Sequence, residues 1–145
     1  MIKITDNKIN EIYQDLDCGM ICYYNPLTEE IKSHPDFDSN IFAEEEMWED
    51  VVNEIDVNRD KYIRFEPMAT NEYFKMMEGF IDSIDNLRLK ERLINALNKP
   101  KPFRNFKYEI DNSGDYRQRW FDYKEQKYCE LIKYQIDALN FNEDQ

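Results

Sequence analysis

The second half of the chain carries a helical repeat of apolar side chains, and this repeat restricts the fold more than any other feature. Between residues 70 and 140, apolar residues recur every three or four positions, the spacing that places them on one face of an α-helix. Prolines near residue 100 and the turn at residues 112–114 interrupt the repeat. We therefore predict a helix capped by Thr70, followed by helices over residues 89–97, 103–110 and 115–140.

The first half of the chain has shorter apolar runs that are typical of strands. Residues 20–25 and 30–33 flank a proline turn and predict a hairpin, and residues 61–66 predict a third strand. Because strands and helices are segregated along the chain, the pattern favours an α+β fold over a parallel α/β fold. We predict a small antiparallel sheet of about three strands in the N-terminal half, packed against a helical C-terminal half.

Two further helices are expected in the first half. One begins at Thr5 or Asp6, which can cap it, and ends at Gly19. The other is amphipathic and covers residues 43–56, with Met47, Val51 and Ile55 on one face.

Length and aromatic content indicate one folded domain over residues 1–145. A chain of 145 residues has the usual size of a single domain and can bury a core without metals or disulfides. Aromatic residues make up 14% of the chain, whereas disordered sequences contain few of them. Residues 142–145 are expected to form a frayed tail.

The sequence predicts a cytoplasmic protein with no membrane segment. No run approaches the ~18 consecutive apolar residues of a transmembrane helix, and the N-terminus lacks the apolar core of a signal peptide. The cysteines are Cys18, Cys22 and Cys129. An odd number without an export signal indicates free, reduced thiols.

Charge is distributed unevenly along the chain. The formal net charge is −12, and residues 29–60 contain twelve acids against two bases, a formal charge of −10. Residues 86–119 contain nine bases against four acids, a formal charge of +5. The two segments could face each other, solubilise the surface, or steer a charged partner. The net acidity argues against non-specific DNA binding, because phosphate contacts dominate that affinity.

The residues of the common catalytic motifs are missing. The three glycines, Gly19, Gly79 and Gly114, are isolated, so there is no phosphate-binding loop and no nucleophile elbow. His34 is the single histidine and falls among prolines and acids, where we expect a solvated loop residue. A zinc site combining it with the three cysteines is less favoured than free thiols. We predict no catalytic residue, metal or cofactor.

One weak pattern resembles the metal site of a nuclease. Asp17 precedes the predicted hairpin, and Glu30 and Lys32 lie on its second strand, where alternation places them on one sheet face. Metal-dependent nucleases use such carboxylates to hold magnesium beside a lysine. The alternative is ordinary surface charge, since this pattern arises by chance in any charged chain.

The basic segment 86–119 also contains aromatic residues. Cations beside aromatic rings can bind single-stranded nucleic acid by phosphate contact and stacking. However, Phe103, Phe106 and Ile110 have the i, i+3, i+7 spacing of a buried helix face, which favours a structural role. Nucleic-acid binding is therefore the weaker interpretation.

The most distinctive string is Pro102-Phe103-Arg104-Asn105-Phe106-Lys107. It follows Met77-Glu78-Gly79-Phe80-Ile81 and precedes Trp120-Phe121-Asp122-Tyr123. This order resembles an uncharacterised bacterial protein family, number one hundred and fifty-eight of the UPF series, from about residue 71 to residue 137. The chain departs from that family at Pro100, where glycine is usual, so the resemblance suggests a divergent member. The resemblance implies no activity.

We expect the string to have a structural role, as a latch that holds its helix on the core. Pro102 suits the first position of a helix, where its missing N–H costs nothing. Phe103 and Phe106 are expected to pack on Trp120. We expect a carboxylate, Asp122 or Glu125, to tether Arg104, because guanidinium and carboxylate match as a fork. In the rival interpretation, Arg104 and Lys107 form an exposed anion site.

The sequence therefore favours a non-enzymatic interaction domain whose acidic segment meets a basic protein partner. The alternatives are a metal-dependent phosphodiesterase or nuclease on the hairpin and a weak single-stranded nucleic-acid binder through residues 86–119. The sequence makes no prediction of oligomeric state.

Overall fold

The computed structural model describes residues 1–40 and 42–143 and confirms the predicted α+β class. Within these residues the chain forms three strands, six α-helices and two short 3₁₀ segments. In chain order they are α1 (Asp6–Asp17), β1 (Met20–Tyr24), β2 (Ile31–Pro35), a 3₁₀ segment (Glu45–Trp48), α2 (Glu49–Val57), a 3₁₀ segment (Arg59–Lys61), β3 (Ile63–Phe65), α3 (Thr70–Asp82), α4 (Leu87–Leu97), α5 (Pro102–Asp111) and α6 (Tyr116–Glu143).

The chain divides into two compact units. The sheet unit contains Met1–Pro67 and the C-terminal residues from Cys129 onward. The helical unit contains Met68–Tyr128. Helix α6 supplies residues to both units.

The sheet is antiparallel with the order β2-β1-β3, so β1 is its central strand. Met20 lies opposite Pro35 and Tyr24 opposite Ile31, which confirms the predicted hairpin. Asn25 sets the connecting turn, because its side-chain oxygen accepts hydrogen bonds from the N–H groups of the second and third residues after it, at 2.9 and 3.3 Å.

Helix α1 contacts β1 within the sheet unit. Its apolar face consists of side chains at helical spacing, all of them buried: Ile9, Ile12, Tyr13 and Leu16. The Thr5 hydroxyl caps the helix by accepting from the N–H of Lys8 at 3.2 Å. Gly19, with φ of +80°, ends it in the left-handed conformation that favours glycine.

Two hydrogen bonds join the N-terminal segment to α6. The side chain of Asn140 accepts from the N–H of Ile2 at 2.7 Å and donates to its carbonyl at 2.9 Å. The predicted tail is helical through Asn142 and Glu143, and Glu143 lies 3.5 Å from the N-terminal amine. The remaining two residues of that tail, 144 and 145, lie outside the described residues.

The helical unit has a core centred on Trp120 of α6. The buried residues of this core come from all four helices of the unit and from the connection between α3 and α4: Met76, Met77, Phe80, Ile81, Ile84, Leu89, Leu93, Leu97, Phe106, Ile110 and Trp120. Asn86 caps α4 by accepting from the N–H of Leu89 at 3.1 Å. Helix α5 begins at Pro102, as predicted.

The starts of the helices predicted at residues 43 and 70 differ from the structure. The helix expected over residues 43–56 begins with a 3₁₀ segment, and its α-helical part starts only at Glu49. Thr70 is the first helical residue rather than the cap, and Ala69 in the N-cap position makes no side-chain hydrogen bond. No helix in the described part of the chain is both long and apolar enough to cross a bilayer.

Candidate functional site

The acidic surface, defined as the carboxylates of residues 29–60, is almost entirely exposed to solvent. These carboxylates come from the hairpin turn, the loop after β2, the first 3₁₀ segment, α2 and the turn before β3. Asp36 is half-buried and the other eleven acidic residues are exposed. Because α2 is short and buries mainly Ile55, its remaining faces are free to carry charge.

The positive charge of Lys32 is balanced by two carboxylates of this surface. Its amine lies 2.8 Å from Glu54 of α2 and 3.1 Å from Glu30, and its side chain is only 17% exposed. The hydrogen bond with Glu54 raises the pKa of Lys32, the effect of Glu30 is smaller, and burial opposes both. Sequence reasoning missed Glu54, because only the packing of α2 on β2 brings it to the strand.

Large apolar side chains stand exposed among these carboxylates. Phe42 is 89% exposed and Met47 is 76% exposed, and three consecutive glutamates lie between them. The prediction that Met47 lies on the buried face of its helix is wrong, because the chain is 3₁₀ there and the α-helical face starts later. Val51 and Ile55 do pack against the sheet residues Ile21 and Tyr23. Exposed apolar side chains beside charge are typical of protein interaction sites.

His34 is a buried strand residue, so the prediction of a solvated loop histidine is wrong. It lies on β2 opposite Ile21 and is 8% exposed. Its Nδ1 donates to the carbonyl of Pro35 at 2.8 Å, and its Nε2 lies 3.1 Å from the hydroxyl of Tyr23. Its ring stacks on Phe37 with centroids 5.3 Å apart. Both ring nitrogens therefore have partners, which fits a structural residue.

The nuclease-like set is not assembled. Asp17 ends α1 beside the start of β1, whereas Glu30 lies beside Asn25 just past the other end of that strand. Five strand residues separate the two ends, a distance of roughly 16 Å at the usual rise. Lys32 is occupied by Glu30 and Glu54. The described residues contain no group of three His, Cys, Asp or Glu side chains that could hold a metal ion.

None of the three cysteines forms a disulfide, and they belong to no group of three potential metal ligands among the described residues. Cys18 is exposed, Cys129 is half-buried and Cys22 is fully buried. Burial raises the pKa of the Cys22 thiol far above its usual value, and Asp15 adds to the effect. Cys22 is therefore an inert core thiol.

Both phenylalanines of the Phe-Arg-Asn-Phe string pack against the core of the helical unit. Phe106 meets Trp120 edge-on, with ring centroids 4.9 Å apart, and Phe103 lies 5.4 Å from Tyr73. The predicted tether is wrong: Arg104 is exposed and has no ion-pair or hydrogen-bond partner within residues 1–40 and 42–143. The side chain of Asp122 instead accepts from Gln118 at 2.9 Å.

A groove between α3 and α4 was not expected from the sequence. It encloses about 220 Å³ in the helical unit. Its lining residues are Phe74, Glu78, Ile81, Asp82, Ile94, Leu97 and Asn98. Apolar side chains therefore form the floor, and two carboxylates stand on the rim.

A second, more polar cleft of about 160 Å³ lies between α4, α5 and the start of α6. Arg88, Arg92 and Glu109 line it together with Asn86, Leu89, Asn112, Ser113 and Tyr116. At its edge the Tyr116 hydroxyl donates to Asp85 at 2.5 Å. This bond lowers the pKa of the Asp85 carboxyl and raises the pKa of Tyr116.

Fold and surface together define an acidic α+β protein with an exposed carboxylate-rich face and, among the residues described, no assembled metal-binding set. A model of the uncharacterised protein family UPF0158 matches residues 37–144, so this chain belongs to that family. The match begins well before residue 71 and includes most of the acidic surface.

A curated relative is the UPF0158 protein PA5073 of Pseudomonas aeruginosa. It is 24% identical over 86 residues, which cover 59% of this chain and 54% of the relative. The matched part thus spans about half the length of that relative. No solved structure matches the chain.

Proposed function

We propose that this chain is a non-enzymatic interaction domain that binds a basic protein partner through its acidic surface. The observation that carries the proposal is the exposure of the carboxylates of residues 29–60. Lys32, the lysine of this segment, is already ion-paired with Glu30 and Glu54. Such a surface attracts a cationic partner and accelerates its encounter.

The carboxylates speed the encounter with the partner, and the exposed apolar side chains contribute most of the binding free energy. Exposed ion pairs contribute only about 0.2–1 kcal/mol each, so carboxylates by themselves give weak binding. Phe42 and Met47 stand free among the carboxylates, and aromatic and methionine side chains are enriched in interface cores. We therefore propose a partner segment that presents basic residues around an apolar patch.

The other functions have less support. Phe106 is 2% exposed and Phe103 is half-buried, so neither offers a free ring to stack on a nucleotide base. Of the nuclease-like residues, Asp17 and Glu30 lie near opposite ends of β1, so the two carboxylates do not share a site. We also propose a cytoplasmic location, since cysteines that form no disulfide are typical of a reducing compartment.

Capture from lysate with matched charge variants tests the proposal. We expect the tagged chain to retain basic proteins at low salt and to release them at high salt, because exposed charges are screened. Glu45→Lys combined with Glu46→Lys should abolish retention. Glu72→Lys combined with Glu91→Lys changes the net charge equally on exposed positions of α3 and α4 and should leave retention intact.

Two results would count against the proposal. If both double variants lose retention equally, net charge and not the acidic surface is responsible. If no salt-sensitive protein is retained by the natural chain, the acidic surface has no basic partner under those conditions.

Phe42→Ser should weaken retention without changing the charge, which separates the apolar contribution.

A further inference from the structure

We infer that the groove between α3 and α4 is a second docking site, which takes an apolar side chain of a partner segment together with a lysine or arginine one helical turn away. The groove lies in the helical unit and is distinct from the acidic surface, so this inference does not depend on the proposed function.

The size of the groove selects the kind of occupant. Pockets for drug-sized molecules or metabolites enclose about 300–1,000 Å³. At about 220 Å³ the groove is smaller than that and suits one large side chain with the stem of a neighbour. Ile81 and Leu97 lie at its base, and Ile94, which is 43% exposed, forms an accessible apolar wall.

The rim carries two free carboxylates. Glu78 and Asp82 lie one turn apart on α3, both are exposed, and neither has an ion-pair or hydrogen-bond partner in the described part of the chain. Long basic side chains lay their methylene stems on apolar surface while the charged head reaches polar groups at the edge. Apolar floor and acidic rim therefore match an arginine or lysine beside an aliphatic residue.

The helix termini add to this preference for a cation. The last carbonyl groups of a helix carry partial negative charge, which a basic residue in the last turn normally balances. Neither α3 nor α4 has a basic residue in its last turn. Helix α3 instead ends on Asp82, whose charge is unfavourable at that end in the absence of a bound cation.

A titration with defined peptides, followed by amide NMR of the full chain, tests the inference. The probe is a short alanine-based helical peptide with one leucine and, four residues later, one arginine. We expect saturable shifts confined to residues 74–82 and 94–98. A control peptide with glutamate in place of the arginine should give no saturable shifts, because it meets the carboxylates with like charge.

Variants locate the site. Glu78→Gln combined with Asp82→Asn should weaken binding of the arginine peptide about fivefold, the loss expected for two exposed ion pairs. Glu72→Gln, on the same helix but outside the groove, should leave binding unchanged. Ile94→Ser should also weaken binding, because it removes the accessible apolar wall of the groove.

Other outcomes would overturn the inference. They are shifts spread outside the groove, equal binding of the glutamate peptide, an equal loss in Glu72→Gln, or no saturable shift. Binding that is lost in the Glu45→Lys and Glu46→Lys variant but kept in the groove variant would assign the peptide to the acidic surface. That result would leave the proposed function of the acidic surface intact and would reject the docking site in the groove.

Discussion

The hydroxyl of Tyr23 lies 3.1 Å from Nε2 of His34 across the first hairpin of the sheet. When Nδ1 of a neutral imidazole donates to a backbone carbonyl, as in His34, Nε2 is the acceptor and the Tyr23 hydroxyl donates to it. The next residue, Tyr24, is fully buried, but its hydroxyl has no hydrogen-bond partner in the described part of the chain. Burial raises the pKa of Tyr24, and the charge of Glu29 adds to this effect.

These adjacent tyrosines should respond oppositely to removal of the hydroxyl. Tyr23→Phe leaves a buried imidazole acceptor without a donor and should lower the free energy of unfolding by about 1–3 kcal/mol. Tyr24→Phe removes an unpartnered buried hydroxyl and should raise that free energy by about 1 kcal/mol. Urea unfolding of the two variants checks the signs. A loss of stability in Tyr24→Phe would show that its hydroxyl has a partner, such as a water.

The latch interpretation makes a second prediction. Phe106→Ala removes a ring that is 2% exposed and contacts Trp120, so it should cost about 3–5 kcal/mol of stability. Arg104→Ala, two residues earlier on the exposed face, should change stability by less than about 0.5 kcal/mol. Denaturant midpoints measured at one pH compare the two. A large loss of stability in Arg104→Ala would show that a partner does tether that side chain.

Gly79 provides a third test, because two effects of opposite sign meet there. A Cβ at this position of α3 would lie 2.5 Å from the Tyr123 hydroxyl and 3.7 Å from the ring carbon that bears it. Alanine favours a helix over glycine by about 1 kcal/mol, but overpacking costs about 1–3 kcal/mol. We expect Gly79→Ala to destabilise the natural chain.

The hydroxyl is the source of the clash, so its removal should reverse the sign. In a Tyr123→Phe background, Gly79→Ala should become stabilising by up to about 1 kcal/mol, since the remaining contact is an ordinary one. Thermal unfolding of the four proteins forms a double-mutant cycle. Additive effects would mean that Tyr123 moves aside freely.

The Asp85–Tyr116 bond predicts a pH effect. The hydrogen bond from Tyr116 lowers the pKa of Asp85, with a smaller contribution from Arg119. A carboxyl whose folded pKa is lowered stabilises the fold above its unfolded pKa, near 3.9, and this stabilisation is lost as the pH falls through the folded pKa. Tyr116→Phe should move the carboxyl pKa of Asp85 upward, as followed by carboxyl-carbon NMR. Arg119→Gln should produce a smaller rise.

Several elements could be predicted because their causes are local. The boundaries of α1 follow from a cap at Thr5 and a left-handed Gly19, and α5 begins at Pro102 because proline suits a first helical turn. The i, i+3 spacing of Phe103 and Phe106 indicated the face of α5 that packs on the core, where Phe106 contacts Trp120. The apolar spacing did not distinguish a 3₁₀ start from an α-helical one. Met47 was therefore predicted on the buried helix face, although it lies in the 3₁₀ segment and is exposed.

The sequence by itself determined the α+β class, the helical faces and the concentration of acids, since periodicity, caps and charge are properties of consecutive residues. Tertiary structure alone decided that His34 is buried against Tyr23, that Glu54 reaches Lys32, and that α3 and α4 leave an apolar groove beneath Glu78 and Asp82. These relationships join residues distant in the chain. They depend on strand register and helix packing, which no local pattern specifies.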